Sequence, residues 1–99
     1  MSRKEQEQHL VTVLSEMCLE KLKENRDKVH WNQVGFDWLF ARLKDEMAEL
    51  EEAVRLQKPA IDVWKEAADV ANFAAFIADN FMSRGLRSDV QRESSRGNE

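Results

Sequence analysis

The sequence is poor in punctuation. Its 99 residues include three glycines, one proline and no tyrosine. So few turn formers exclude the many short strands of a sandwich or barrel and leave room for a few long helices. Cysteine occurs once, as Cys18, so there is no internal disulfide. A lone thiol fits a reduced, cytoplasmic interior and a place as a small core residue. A basic excess is also missing, since the formal net charge is −4. Without a stripe of Lys and Arg to track a phosphate backbone, a nucleic acid duplex is not an expected partner. No apolar run approaches the roughly 20 residues of a membrane span, and MSRKEQEQ does not read as a signal peptide.

What is present is periodic. Leu10, Val11, Leu14, Met17, Cys18 and Leu22 recur at helical spacing and predict a first helix from about Lys4 to Asn25. The polar stretch ENRDKVHWNQVG interrupts it. Asp37 is placed to cap a second helix reaching about Gln57, and Pro59 to open a third that ends near Arg84 and Gly85. This predicts one all-α domain over residues 1–85, followed by a polar, disordered tail over 86–99. A chain this short buries only a modest core, so a partner subunit is expected to complete it.

The acidic residues divide on the helical wheel. In KDEMAELEEAV, Leu39, Leu43, Met47, Leu50 and Val54 share one arc of roughly 80°. Glu46 stands at the edge of that arc and Glu49 flanks it, while Asp45, Glu51 and Glu52 point away. On the third helix, Glu66 falls among Val63, Val70, Phe73, Ile77 and Phe81, with Asp69 at the edge. Carboxylates on apolar faces need cations. The nearest basic residues, Arg42 and Lys65, only flank this side, so a divalent metal is the better partner. Glu46 and Glu49 are three apart, as are Glu66 and Asp69, so each pair shares a helix face. Two facing helices would then offer four hard oxygen ligands suited to Mg²⁺ or Mn²⁺. The plain alternative is surface charge with one buried salt bridge.

These motifs resemble a known family. Glu46-x-x-Glu49 and Glu66-x-x-Asp69, sixteen residues apart, with Asp45, Leu50 and Val70 beside them, are similar to the paired motifs of the MazG-like, all-α nucleoside triphosphate pyrophosphohydrolases. The resemblance spans about residues 28 to 84; the first helix and the tail contribute little to it. It implies Mg²⁺-dependent cleavage of a (deoxy)nucleoside triphosphate to monophosphate and pyrophosphate, of the house-cleaning type. It implies Glu46, Glu49, Glu66 and Asp69 as metal ligands, with Glu46 or Glu49 accepting the proton of the attacking water. Relatives also place aromatic and His residues against the base, which brings in Trp31 and His30; loop packing is their alternative. Asn72, one turn beyond Asp69, faces either the sugar and base or a helix interface. Larger relatives carry a basic residue and an Asn after the last core helix. Here that region holds Asn80, Arg84 and Arg87 without a clear match. Lys44, Lys58, Lys65 and Arg84 are candidates for phosphate contacts, or else plain surface charges.

Ala67, Ala68, Ala71, Ala75 and Ala78 line the opposite side of the third helix, so that it is apolar nearly all round. A helix of that kind is buried on all sides. The expectation is a homodimer or a dimer of dimers, with the third helix at its centre. The competing reading is a non-catalytic helical oligomerisation or adaptor module, or a nucleotide sensor.

Overall fold

The computed structural model describes residues 1–28 and 30–86, and the expected tail from residue 87 onward, Arg87 included, lies outside them. Three α-helices carry the described chain: α1 (Arg3–Glu24), α2 (Phe36–Arg55) and α3 (Ala60–Phe81). A short 3-10 turn, Trp31–Gln33, stands between α1 and α2, and a π-helical turn, Met82–Leu86, follows α3. There is no strand among the described residues. Among the described residues, no helix is long and apolar enough to cross a membrane.

Helix boundaries follow local chemistry. Ser2 caps α1 by accepting the Glu5 amide at 3.2 Å, and its hydroxyl donates to the Glu5 carboxylate at 3.0 Å. Asp37, expected as the cap of α2, instead sits in its first turn, because the chain enters the helix at Gly35. There its charge complements the helix dipole without a capping bond. Pro59 is the N-cap of α3 rather than its first residue. The link between α2 and α3 is tight. The Lys58 amide donates to the Ala53 carbonyl at 3.0 Å and the Gln57 amide to the Val54 carbonyl at 3.1 Å, a Schellman closure. It requires a left-handed residue, and Gln57 takes that role at φ 52°.

α3 is the central helix, in contact with both α1 and α2. Leu39, Phe73 and Phe76 form the core cluster, with Leu22, Trp31, Val34, Leu43 and Ile77 packed against it. On α2 the line that turns inward is Leu39, Leu43, Glu46, Leu50 and Ala53. Met47 and Val54, expected on that face, are 53% and 58% exposed. The buried arc is rotated by about 40° from the expected one, which moves Glu46 from its edge to near its middle. On α3 the rotation is larger, about 100°, which brings Asp69 inside the buried arc and leaves Glu66 at its edge. The buried residues of this helix are Ala68, Asn72, Phe73, Phe76 and Asn80, whereas Val63, Val70 and Ile77 are half-buried and Phe81 is exposed. Ala74, Ala75 and Ala78 are exposed as well, so the described residues do not enclose α3. Two neighbouring helices cover only two of its sides.

Candidate metal centre

The inward turn of α2 brings Glu46 against α3. Its side chain is 5% exposed. From α3, Glu66 and Asp69 approach half-buried. One oxygen from each of these three carboxylates lies within 4.8 Å of the other two. Glu49 lines the same cavity but is exposed and stands outside the three-oxygen cluster. Asp45, Glu51 and Glu52 are exposed, as expected.

Each buried charge is only partly answered. Arg42, one turn before Glu46, brings Nη2 to 2.7 Å from Glu46 Oε1 and Nη1 to 3.2 Å from Asp45 Oδ2. The Arg42 guanidinium also lies over the Phe73 ring, 5.5 Å from its centroid. From α1, Lys21 Nζ stands 3.4 Å from Asp69 Oδ2. Arg42 therefore pairs with this face rather than only flanking it, and the first helix supplies a cation that spacing within α2 and α3 does not reveal. Even so, Oε2 of Glu46 and Oε2 of Glu66 are buried with no hydrogen-bond partner among the described residues. A buried acceptor in that state is costly unless it is protonated or ligated.

The carboxyl groups respond accordingly. Burial, the close approach and charge of Glu49 and the charge of Asp69 outweigh Arg42 and push Glu46 up to about 7. Burial and the charges of Glu49 and Asp69 raise Glu66, against the pull of Lys21. Asp69 is also raised by burial, which outweighs its Lys21 partner. Burial draws the Lys21 ammonium down, but Asp69 and Glu24 outweigh it and leave it above the ordinary lysine value. Acids held above their usual range and facing one another are groups that a bound cation would return to the ionised form. The residues present fit a divalent metal: they offer hard oxygen donors, clustered, with two of them orphaned.

A scan against protein-family models finds no match to this chain, and comparisons with curated proteins and with solved structures find none either.

The carboxylates line a cavity of about 320 Å³. Trp31, Phe73 and Phe76 form an aromatic wall, and Lys21, Arg26 and Arg42 supply positive charge. Trp31 stacks on Phe76 at 4.7 Å with the rings 8° from parallel. Its indole N–H donates to Asp79 Oδ2 at 3.0 Å, and Asn80 Nδ2 donates to its carbonyl at 2.5 Å. Asn72 lines the cavity and donates its amide to the Cys18 carbonyl on α1 at 3.1 Å, so it serves the helix interface. The Cys18 thiol donates to the Ala68 carbonyl at 3.8 Å and is pushed up by burial and by Asp69.

Three expected contacts lie elsewhere. His30 is exposed beside Trp31 and does not line the cavity. Lys44 is exposed on α2 away from it. Arg84 donates to the Val34 carbonyl and covers the Phe36 ring at 5.2 Å, closing the outer side of the loop. Conversely, Lys21, Leu22, Asn25 and Arg26 line the cavity from the end of α1. Their signal was faint but present: Lys21 follows Met17 and Cys18 by one turn, on the flank of the first helix's apolar stripe.

Proposed function

We propose that the protein is a Mg²⁺-dependent nucleoside triphosphate pyrophosphohydrolase, of the MazG-like kind that its two acidic motifs resemble. The observation that carries the reading is the pair of orphaned, buried oxygens, Glu46 Oε2 and Glu66 Oε2, within an acidic cluster that faces an aromatic wall. The cavity volume falls within the range of small-molecule sites. Its lining offers what both parts of a nucleotide need: aromatic rings for a flat base, and cations with the carboxylate cluster for an anionic triphosphate.

Glu46, Glu66 and Asp69 would hold Mg²⁺, or Mn²⁺ in its place, with Glu49 completing the donor set at the exposed side. When bound, the metal would offset phosphate charge, polarise phosphorus and acidify water. The chain's own residues do the rest. Arg42 fixes the Glu46 carboxylate through its 2.7 Å contact. Glu49, exposed at the cavity and outside the cluster, accepts the proton of the attacking water. Arg26 and Lys21 neutralise the phosphates. Trp31, held by Phe76, Asp79 and Asn80, keeps the base wall rigid. The functional unit is a homodimer or dimer of dimers, supported by the exposed Phe40, Met47, Val54 and Phe81. Cys18 as a free thiol suits a cytoplasmic setting.

The test is incubation with each dNTP and NTP, modified nucleotides included, in Mg²⁺, with pyrophosphate measured. Release is expected, and Glu46→Gln or Glu66→Gln should abolish it. No release across the whole panel overturns the proposal. A second reading keeps the fold without the chemistry, as a helical oligomerisation module or nucleotide sensor. It is favoured by Arg42 and Lys21, which already pair two of the acids. That module predicts a melting temperature indifferent to Mg²⁺, whereas the enzyme is stabilised by metal and further by nucleotide.

A further inference from the structure

Two cations serve the acidic cage, and they are held differently. Arg42 belongs to the helix of its partner and is tied down by Glu46, Asp45 and the Phe73 ring. Lys21 comes from another helix. Its side chain is 20% exposed and that of Asp69 is 15% exposed, so the 3.4 Å pair between them is shielded from solvent. Among the described residues Lys21 has one other charged partner, Glu24, also at 3.4 Å and 46% exposed. The ammonium thus sits between a shielded acid inside the cage and an open one outside it. Its position is not accidental, because the buried Asn72 amide fastens the Cys18 carbonyl, one turn before Lys21, to α3. A lysine is a compact point charge on a flexible stem, which lets it change partners more readily than the planar fork of an arginine.

We propose that Lys21 is the cage's resident counter-ion: it neutralises Asp69 while no metal is bound, gives up the Asp69 oxygen to the divalent ion and retains Glu24. Lys21 is then a positioning residue that competes with the metal and sets its affinity. This rests on the metal reading of the site. Without Lys21, the cage would hold Glu46, Glu49, Glu66 and Asp69 with Arg42 as the one charge-paired cation among the described residues. That cage would repel itself when empty and bind a cation more tightly.

The test uses Lys21→Met, with Lys23→Met as a control, since Lys23 is exposed on the same helix. Mn²⁺ affinity is measured by titration calorimetry, and melting temperature with and without saturating Mg²⁺. Lys21→Met should melt lower than wild type without metal, bind Mn²⁺ about tenfold more tightly and gain more on adding Mg²⁺. Lys21→Arg should return Mn²⁺ affinity to the wild-type value or below it, and Lys23→Met should leave it within about twofold. Should Lys21→Met lose helix content by circular dichroism, Lys21→Gln replaces it. Equal Mn²⁺ affinity in wild type and Lys21→Met overturns this inference alone, as does an equal gain in Lys23→Met. Absence of Mn²⁺ binding in both wild type and Lys21→Met overturns it together with the metal reading.

Discussion

The Glu46 carboxyl makes stability without metal depend on pH in an unusual direction. Held at about 7 against an ordinary 4.5, it keeps its proton in the folded chain where the unfolded chain has lost it. The stability from this group is therefore complete below the ordinary value and is lost as pH rises through about 7. The full cost of ionising it in place is about 3 kcal/mol, of which about 2 kcal/mol appears between pH 5 and pH 8. Most small domains gain or hold stability over that range. Glu46→Gln removes the titration and keeps an oxygen for Arg42 Nη2, at the loss of about 1 kcal/mol of charge assistance. The variant should therefore be about 2 kcal/mol more stable than wild type at pH 8 and about equal to it at pH 5. The assay is urea unfolding followed by circular dichroism, in chelator and at one protein concentration. Wild-type stability that stays flat or rises over this range would refute the reasoning. So would a variant less stable than wild type at pH 8.

Mg²⁺ should raise the wild-type melting temperature and leave Glu66→Gln nearly unmoved, read by thermal shift in matched chelator and metal buffers. Gln57→Gly should stabilise by about 0.5–1 kcal/mol in chemical denaturation, because glycine takes a left-handed backbone without strain. Asn72→Ala should cost about 1–2 kcal/mol, since it removes a buried hydrogen bond and leaves the Cys18 carbonyl without it. Trp31→Ala should cost about 2 kcal/mol and weaken nucleotide binding, measured by calorimetry with a non-hydrolysable analogue.

Helical periodicity located α1, α2 and α3 to within a few residues, because Gly35, Pro59 and the apolar repeats are strong local signals. It also put Glu46, Glu66 and Asp69 on inward faces, where the structure gathers them. It misjudged how α2 and α3 are rotated. Met47 offers more apolar area than Ala53, which favours Met47 inside, yet small Ala53 is buried and Met47 is exposed. Hydropathy ranks residues along one helix and cannot see which side a neighbour takes. The contribution of Lys21 and Arg26 was only faintly legible for a related reason. Spacing within α2 and α3 describes two walls of the cavity, while the third wall depends on where α1 docks. Asn72 could be read as a base contact or an interface contact from its position alone, and its Cys18 bond places it in the interface.

That bond has a further implication. Asn72 and Asn80 each grip a main-chain carbonyl, of Cys18 and of Trp31. Every residue carries a carbonyl, so neither grip depends on which side chain the other segment displays. At these two points the seats of α1 and the 3-10 turn on α3 do not depend on side-chain identity, while Leu22 and Trp31 stay fixed by the core. The cavity wall contributed by Lys21, Asn25 and Arg26 can thus be rewritten for a different ligand while the carboxylates stay where they are.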